Sequence, residues 1–199
     1  TALDLTSSNL ELNRLNVSDS SQFETYIEDL LSKNKAKVAY GGYNEIRNLY
    51  KRSAVFNDLN SEERNIHIGL DLWIKAGTPV LAALDGTIHS FQNNIALGDY
   101  GPAIILEHTI SGVTFYTLYG HLSLESLDGK AEGQKVTKGE VIGTLGAPPI
   151  NGDYAPHLHF QIIKDLQGKK GDYPGVTSKK ELAFYKENCP DPNLLLKIK

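Results

Sequence analysis

The reading of the fold turns on Pro156-His157-Leu158-His159-Phe160-Gln161-Ile162-Ile163. Its Phe and Ile residues favour an extended strand. In a strand side chains alternate, so His157 and His159 point to one face about 6–7 Å apart. In a helix the two would diverge by about 200° and share nothing. Two imidazoles on one strand face need a common purpose, and a shared metal or substrate supplies one.

Working outward, residues 66–163 consist of short β-branched or alternating runs between glycines, at 87–91, 103–107, 113–118, 141–145 and 157–163. Turn signals at such intervals predict a mainly β fold, a sandwich or a barrel-like sheet. Gly77-x-x-Val80 and Gly133-x-x-Val136 resemble each other, as a half-fold repeat or as turn chemistry used twice. The flanks differ. Phe23, Tyr26, Ile27, Leu30 and Leu31 follow helical spacing over 21–35, with Asp19 or Ser20 as cap. Residues 45–51 suggest a second short helix. Ser178-x-x-Glu181 has capping-box spacing ahead of Leu182, Phe184 and Tyr185, and Pro190 and Pro192 stop that helix. The expected organisation is a helical N-terminal extension (1–60), a β core (61–165) and a helical C-terminal extension packed on it (166–199).

Composition narrows the function. The 199 residues suit one domain, 40% are hydrophobic and 22% charged, and the net charge is −4. No basic stripe marks a nucleic-acid partner. No apolar run reaches the roughly 20 residues that span a bilayer. Thr1 to Asn16 has neither the basic nor the apolar region of a signal peptide. The chain does not begin with Met, which leaves room for an upstream signal or domain. Cys189 is the lone cysteine, so thiolate-rich structural metal sites are excluded.

The second chemical element is His67-Ile68-Gly69-Leu70-Asp71. Along a straight strand its two ends would lie about 13 Å apart, too far to share an ion, so a shared metal requires a bend, which Gly69 permits. Taken alone, Asp71 could instead cap a turn while His67 merely packs. The third element is His121, placed by Tyr119-Gly120-His121-Leu122 at the end of a strand. His89 and His108 lack such neighbours and read as surface or core histidines. Two imidazoles and one carboxylate leave a fourth position for water, the arrangement of catalytic rather than structural zinc.

With these elements in this order, the chain resembles the lysostaphin-type (LytM-type) zinc metalloendopeptidases over roughly residues 62–165. Ala76-Gly-Thr-Pro-Val80, Asp85-Gly86 and residues 139–146 add to the likeness. The resemblance implies one zinc ion per chain held by His67, Asp71 and His159, with His121 and His157 as catalytic histidines. It also implies an antiparallel sheet with a groove, and peptide bonds of bacterial peptidoglycan or soluble peptides as substrate. Two positions depart from the family pattern: Ala155 replaces the usual Gly, and Gln161 the usual Glu. The segments Asp99-Tyr-Gly-Pro102, Gly146-Ala-Pro-Pro149, Tyr173-Pro-Gly-Val176 and Cys189-Pro-Asp-Pro-Asn193 look closer to a branch also found fused to aminotransferase modules. A zinc-bearing but catalytically silent regulatory or binding domain is the alternative. Retention of all five residues argues against it. A biotinyl or lipoyl carrier is excluded by the absence of any Met-Lys-Met-like turn in a chain with no Met.

Overall fold

A computed structural model describes residues 1–47 and 62–198. The chain order is α1 (Ser20–Lys33), β1 (Ala39–Gly41), β2 (Glu45–Ile46), β3 (Ile66–His67), β4 (Leu70–Trp73), β5 (Pro79–Leu81), β6 (Gly86–Asn94), β7 (Gly101–Ile110), β8 (Val113–Gly120), β9 (Lys135–Val136), β10 (Val141–Thr144), β11 (His157–Ile163), β12 (Val176–Thr177), α2 (Leu182–Asn188) and α3 (Asn193–Leu196). Seven strands form one sheet in the order β1-β4-β11-β8-β7-β6-β9, and every pairing in it is antiparallel. The mainly β fold expected from the turn spacing is found, and so is the antiparallel sheet that the family resemblance implies. Two small sheets, β10-β5 and β12-β3-β2, complete it.

The middle of the large sheet is buried on both faces, through Gly101–Leu106 of β7 and Thr117–Gly120 of β8. Alternation sorts them: Ile104, Leu106, Tyr119, Phe160 and Ile162 pack with Val80 and Ile142 of the β10-β5 sheet and with Leu145 just beyond it. Ala103, Ile105, Leu118 and Ile163 point the other way, toward Tyr173 and Cys189 of the C-terminal segment. His157, His159 and Gln161 share the parity of Ile163 and so belong to that second face.

The flanks close over the sheet. Asp19, the first of the two candidate caps, accepts hydrogen bonds from the amides of Ser21 and Gln22 at the start of α1. The inner face of that helix, Phe23 and Ile27, packs with Leu3, Leu5, Trp73 and Ala155. Helix α2 begins one turn after Ser178, whose Oγ accepts from the Glu181 amide, and stops ahead of Pro190. The helix expected over 45–51 is corrected by the structure: Glu45–Ile46 is strand β2, paired with β3, while 48–51 lie outside the described residues. Pairing overrides local propensity there, because β3 offers an open edge and Glu45 is tied to the Leu5 amide at 3.0 Å. The two Gly-x-x-Val segments lead into β5 and β9, which sit in different sheets. Gly77 (φ +77°) and Gly133 (φ +81°) both occupy left-handed turn positions, so their likeness is turn chemistry used twice.

Candidate metal centre

Register builds the centre. In the β4–β11 pair His159 lies directly opposite Asp71, and in the β11–β8 pair it lies opposite Gly120. His67 arrives from the other direction. It ends β3 in the three-stranded sheet, and the chain then bends through Ile68-Gly69 to enter the large sheet as β4. That bend brings His67 Nε2 to 3.3 Å from Asp71 Oδ1. Gly69 serves a second need as well. A Cβ there would fall far inside 3.0 Å of the His159 ring, so only a residue without a side chain lets the ring lie against the bend.

Three donor atoms converge. His67 Nε2 is 2.9 Å from His159 Nδ1, which is 3.2 Å from Asp71 Oδ1. Ligand atoms about 2.0–2.1 Å from one tetrahedral ion stand about 3.3 Å apart, so the triangle has the right size. Its protonation also fits. The Gly42 carbonyl accepts from His67 Nδ1–H at 2.8 Å, leaving Nε2 bare. Gln161 donates its amide hydrogens to Pro174 O (3.1 Å) and Cys189 Sγ (3.2 Å), so its Oε1 faces His159 Nε2 at 2.9 Å and takes the proton there. His159 Nδ1 is therefore bare too. Two bare nitrogens and a carboxylate oxygen, each nearly fully buried, repel one another unless a cation sits among them. Among the described residues this is the cluster able to hold a metal ion.

The local electrostatics keep these groups ready. Burial, reinforced by the Arg47 charge, lowers the His67 pKa to about 3 despite Asp71 beside it, so it is neutral at pH 7. For Asp71, burial pushes the carboxyl up, while the permanently charged Arg47 guanidinium bonded to Oδ2 pushes it down. It stays well below the usual carboxylate range.

His121 and His157 stand beside this triangle, their rings 4.2 Å apart. His157 Nδ1–H donates to Ala155 O at 2.8 Å, which turns Nε2 toward the centre, 4.0 Å from Asp71 Oδ1. His121 Nδ1–H donates to Asn151 O at 2.8 Å. Burial, foremost, lowers both imidazoles, that of His121 well below its ordinary value. His121 also has φ +62°, a left-handed conformation that a non-glycine residue rarely takes. Backbone bonds from its N–H to Tyr100 O and from Gly146 N–H to its carbonyl hold it there. The pattern is that of a side chain aimed at a cost in backbone energy.

All five residues singled out in the sequence thus meet in one place. His89 and His108 do not: His89 bonds Ser90 Oγ, and His108 bridges Asp85 O and Thr117 Oγ1. Sequence reasoning missed Arg47, whose Nη1 meets Asp71 Oδ2 at 2.6 Å, and Tyr100, whose hydroxyl lies 3.4 Å from His159 Nε2. It noticed Gln161 only as a departure, although two-residue periodicity from His157 through His159 already placed it beside the site.

Comparison with known proteins agrees with this geometry. Residues 65–172, more than half of the chain, match the sequence profile of Peptidase family M23. The chain belongs to this family. The lysostaphin-type likeness read from the motifs is a likeness to that same family. A relative from Haemophilus influenzae, called an uncharacterized metalloprotease, is 38% identical over 96 residues, which are 48% of this chain and 18% of that protein. The peptidoglycan DD-endopeptidase ShyC of Vibrio cholerae is 33% identical over 98 residues, 49% of this chain and 20% of its own length. The chain thus spans a fifth or less of the length of these two relatives. The catalytic domain of lysostaphin from Staphylococcus simulans superposes with a TM-score of 0.44 at 24% identity, over 77% of this chain and 94% of that domain. Among the described residues no helix is long and apolar enough to cross a membrane.

Proposed function

We propose that this M23 chain is a zinc-dependent metalloendopeptidase, with His67, Asp71 and His159 as ligands and His121 and His157 as catalytic residues. The observation that carries the reading is the convergence of two bare imidazole nitrogens and one carboxylate oxygen within 2.9–3.3 Å of one another. Two imidazoles and a carboxylate suit zinc, and three protein ligands leave a position for water.

Bound there, zinc supplies a Lewis acid for the scissile carbonyl and a water acidic enough to be a nucleophile near neutral pH. The protein's own residues do the rest. His121 and His157 are neutral at pH 7, and each has its Nδ1–H committed to a carbonyl, so each has Nε2 free to accept a proton. Protonated, the same atom donates to the oxyanion of the tetrahedral intermediate or to the leaving amine. Glu45, the carboxylate that shares Arg47 with Asp71, is engaged there, and the bare Nε2 atoms assign proton transfer to the two histidines.

The substrate is a peptide amide, in peptidoglycan or in soluble peptides. Support for wall chemistry comes from ShyC, a peptidoglycan DD-endopeptidase by name. Support for small substrates comes from the cleft, whose volume is about 220 Å³. Its lining comes partly from outside the matched span, from Leu5, Val17 and Phe23 and from Tyr173–Val176. Asp99 and Tyr100, from the Asp99–Pro102 segment, line it as well. The sequences of the four unusual segments carry the affinity we propose with the branch found beside aminotransferase modules, and two of those segments line the cleft. With a chain charge of −4, an anionic polymer is repelled at long range, within a screening length of about 10 Å at 0.1 M salt. We therefore expect faster turnover of soluble stem peptides or wall fragments than of intact sacculi. The test compares the two at low and moderate salt. Faster release from intact sacculi at both salts would restore an ordinary wall-cleaving role.

A further inference from the structure

The geometry points to Arg47, a residue outside the span matched to the family, as a positioning residue that reserves one oxygen of Asp71 and so holds the metal centre at three single-atom protein ligands. The inference rests on Asp71 being a ligand, as proposed above.

Arg47 is 1% exposed, and among the described residues its guanidinium meets Asp71, Glu45 and Gly41. Nη1 donates to Asp71 Oδ2 at 2.6 Å, Nε donates to Glu45 Oε2 at 2.6 Å, and Nη2 donates to Gly41 O at 3.4 Å. The group also lies 5.7 Å over the Trp73 ring, which stacks on His157. Glu45 in turn accepts from the Leu5 amide through its other oxygen, so the fork is braced from the N-terminal segment. Gly42 supplies the room: a Cβ there would overlap the guanidinium.

The two oxygens of Asp71 are thereby divided. Oδ1 faces His67 and His159, and Oδ2 is spent on a charge-assisted bond of the strongest kind. A carboxylate free at both oxygens can turn and offer both to one ion, which uses up a coordination position. A carboxylate with Oδ2 fixed to a rigid planar fork offers only Oδ1. Arg47 therefore does two things through Asp71. It fixes the rotamer that points Oδ1 at the imidazoles, and it leaves the remaining position open for water and substrate. Lysine cannot copy this, because one ammonium on a flexible stem cannot bridge Asp71, Glu45 and Gly41 in one plane.

Partners of this kind, when removed, commonly cost about 10–100-fold in metal affinity or activity. The test uses the full chain with Arg47→Met, close in length and uncharged, and Arg47→Lys, which keeps a buried positive charge opposite Asp71 should the Met variant fail to fold. Zinc affinity is read by competition with a chromophoric chelator, and coordination number by the visible absorption of the cobalt-substituted protein. Four-coordinate cobalt absorbs more strongly than five-coordinate cobalt. The expected result is about 10–100-fold weaker zinc binding in Arg47→Met, a smaller loss in Arg47→Lys, and a weakened cobalt band in both as Oδ2 joins the ion. Folded variants with unchanged zinc affinity and an unchanged cobalt spectrum would overturn the assignment. Asp71→Asn, measured in parallel, separates the two readings. If it keeps full zinc affinity, the ligand set itself fails. If it loses zinc while the Arg47 variants do not, only the role of Arg47 falls.

Discussion

Adding one methyl group at Gly69 should dismantle the metal centre from beneath. In Gly69→Ala the new Cβ would stand 3.1 Å from His159 Nδ1 and far inside 3.0 Å of Cε1 and Nε2, where ordinary contact begins at 3.4 Å. The methyl sits on backbone that is fixed on both sides, by β3 in one sheet and β4 in the other, so the ring must give. A retreat on the order of 1 Å is needed. Gly175 and Tyr100 crowd the ring as well: a Cβ at Gly175 would meet the Tyr100 hydroxyl and lie 3.1 Å from His159 Cε1. Overpacking of this kind costs about 1–3 kcal/mol. A displaced His159 loses both the 2.9 Å approach to His67 and the 2.9 Å bond to Gln161 that keeps Nδ1 bare. Zinc affinity should fall at least as far as on loss of an outer-shell partner, about 100-fold. Chelator competition measures that loss, and urea unfolding of the metal-free protein measures the packing cost. A Gly69→Ala protein that binds zinc within twofold of the original would refute the steric argument.

Other substitutions separate the roles at the centre. His67→Ala, Asp71→Ala and His159→Ala should each strip zinc, as metal analysis of the purified proteins will show, and stoichiometric zinc in His159→Ala would break the ligand set. His121→Ala and His157→Ala should keep zinc and fold but lose about 10²–10⁴ in turnover, and loss of metal from either would make it a ligand. The metal-free protein should weaken as pH falls below about 6.5. His67 titrates only near pH 3 when folded, and burial lowers His121 and His157 too. The unfolded chain therefore binds protons that the folded one refuses, and stability drops by up to about 1.4 kcal/mol per pH unit for each histidine. Asp71, held low in the fold, stays ionised in both states across most of that range and does not offset the loss. Urea midpoints at pH 7.5 and 5.5 with chelator present check this, and an equal or higher midpoint at pH 5.5 would contradict it.

Much of this centre was legible because strand geometry has a short period. His157 and His159 could be set on one face without any knowledge of what lay opposite, and the same count reaches Gln161. The bend at Gly69 was legible because two ligands four residues apart on a strand cannot otherwise meet. What could not be read is everything supplied across the chain. The Gly42 carbonyl that sets the His67 tautomer belongs to the backbone, and backbone acceptors leave no mark on residue identity. Arg47 is 24 residues from Asp71, in a stretch whose spacing resembles a helix, and only the pairing of β2 with β3 turns it inward. The flanks were legible as helices over the sheet, through Phe23 and Ile27. That they also wall the cleft and brace the ligands is a tertiary fact.

The central claim is that a zinc ion at His67, Asp71 and His159 lets this chain hydrolyse a peptide amide. Mass spectrometry of peptidoglycan-derived and unrelated peptides, incubated with zinc-loaded protein and with its His121→Ala variant, tests it most directly. The account predicts new fragment pairs whose summed mass exceeds that of the parent peptide by one water, formed by the intact protein and nearly absent with the variant. A folded, fully zinc-loaded protein that leaves every peptide intact would contradict it.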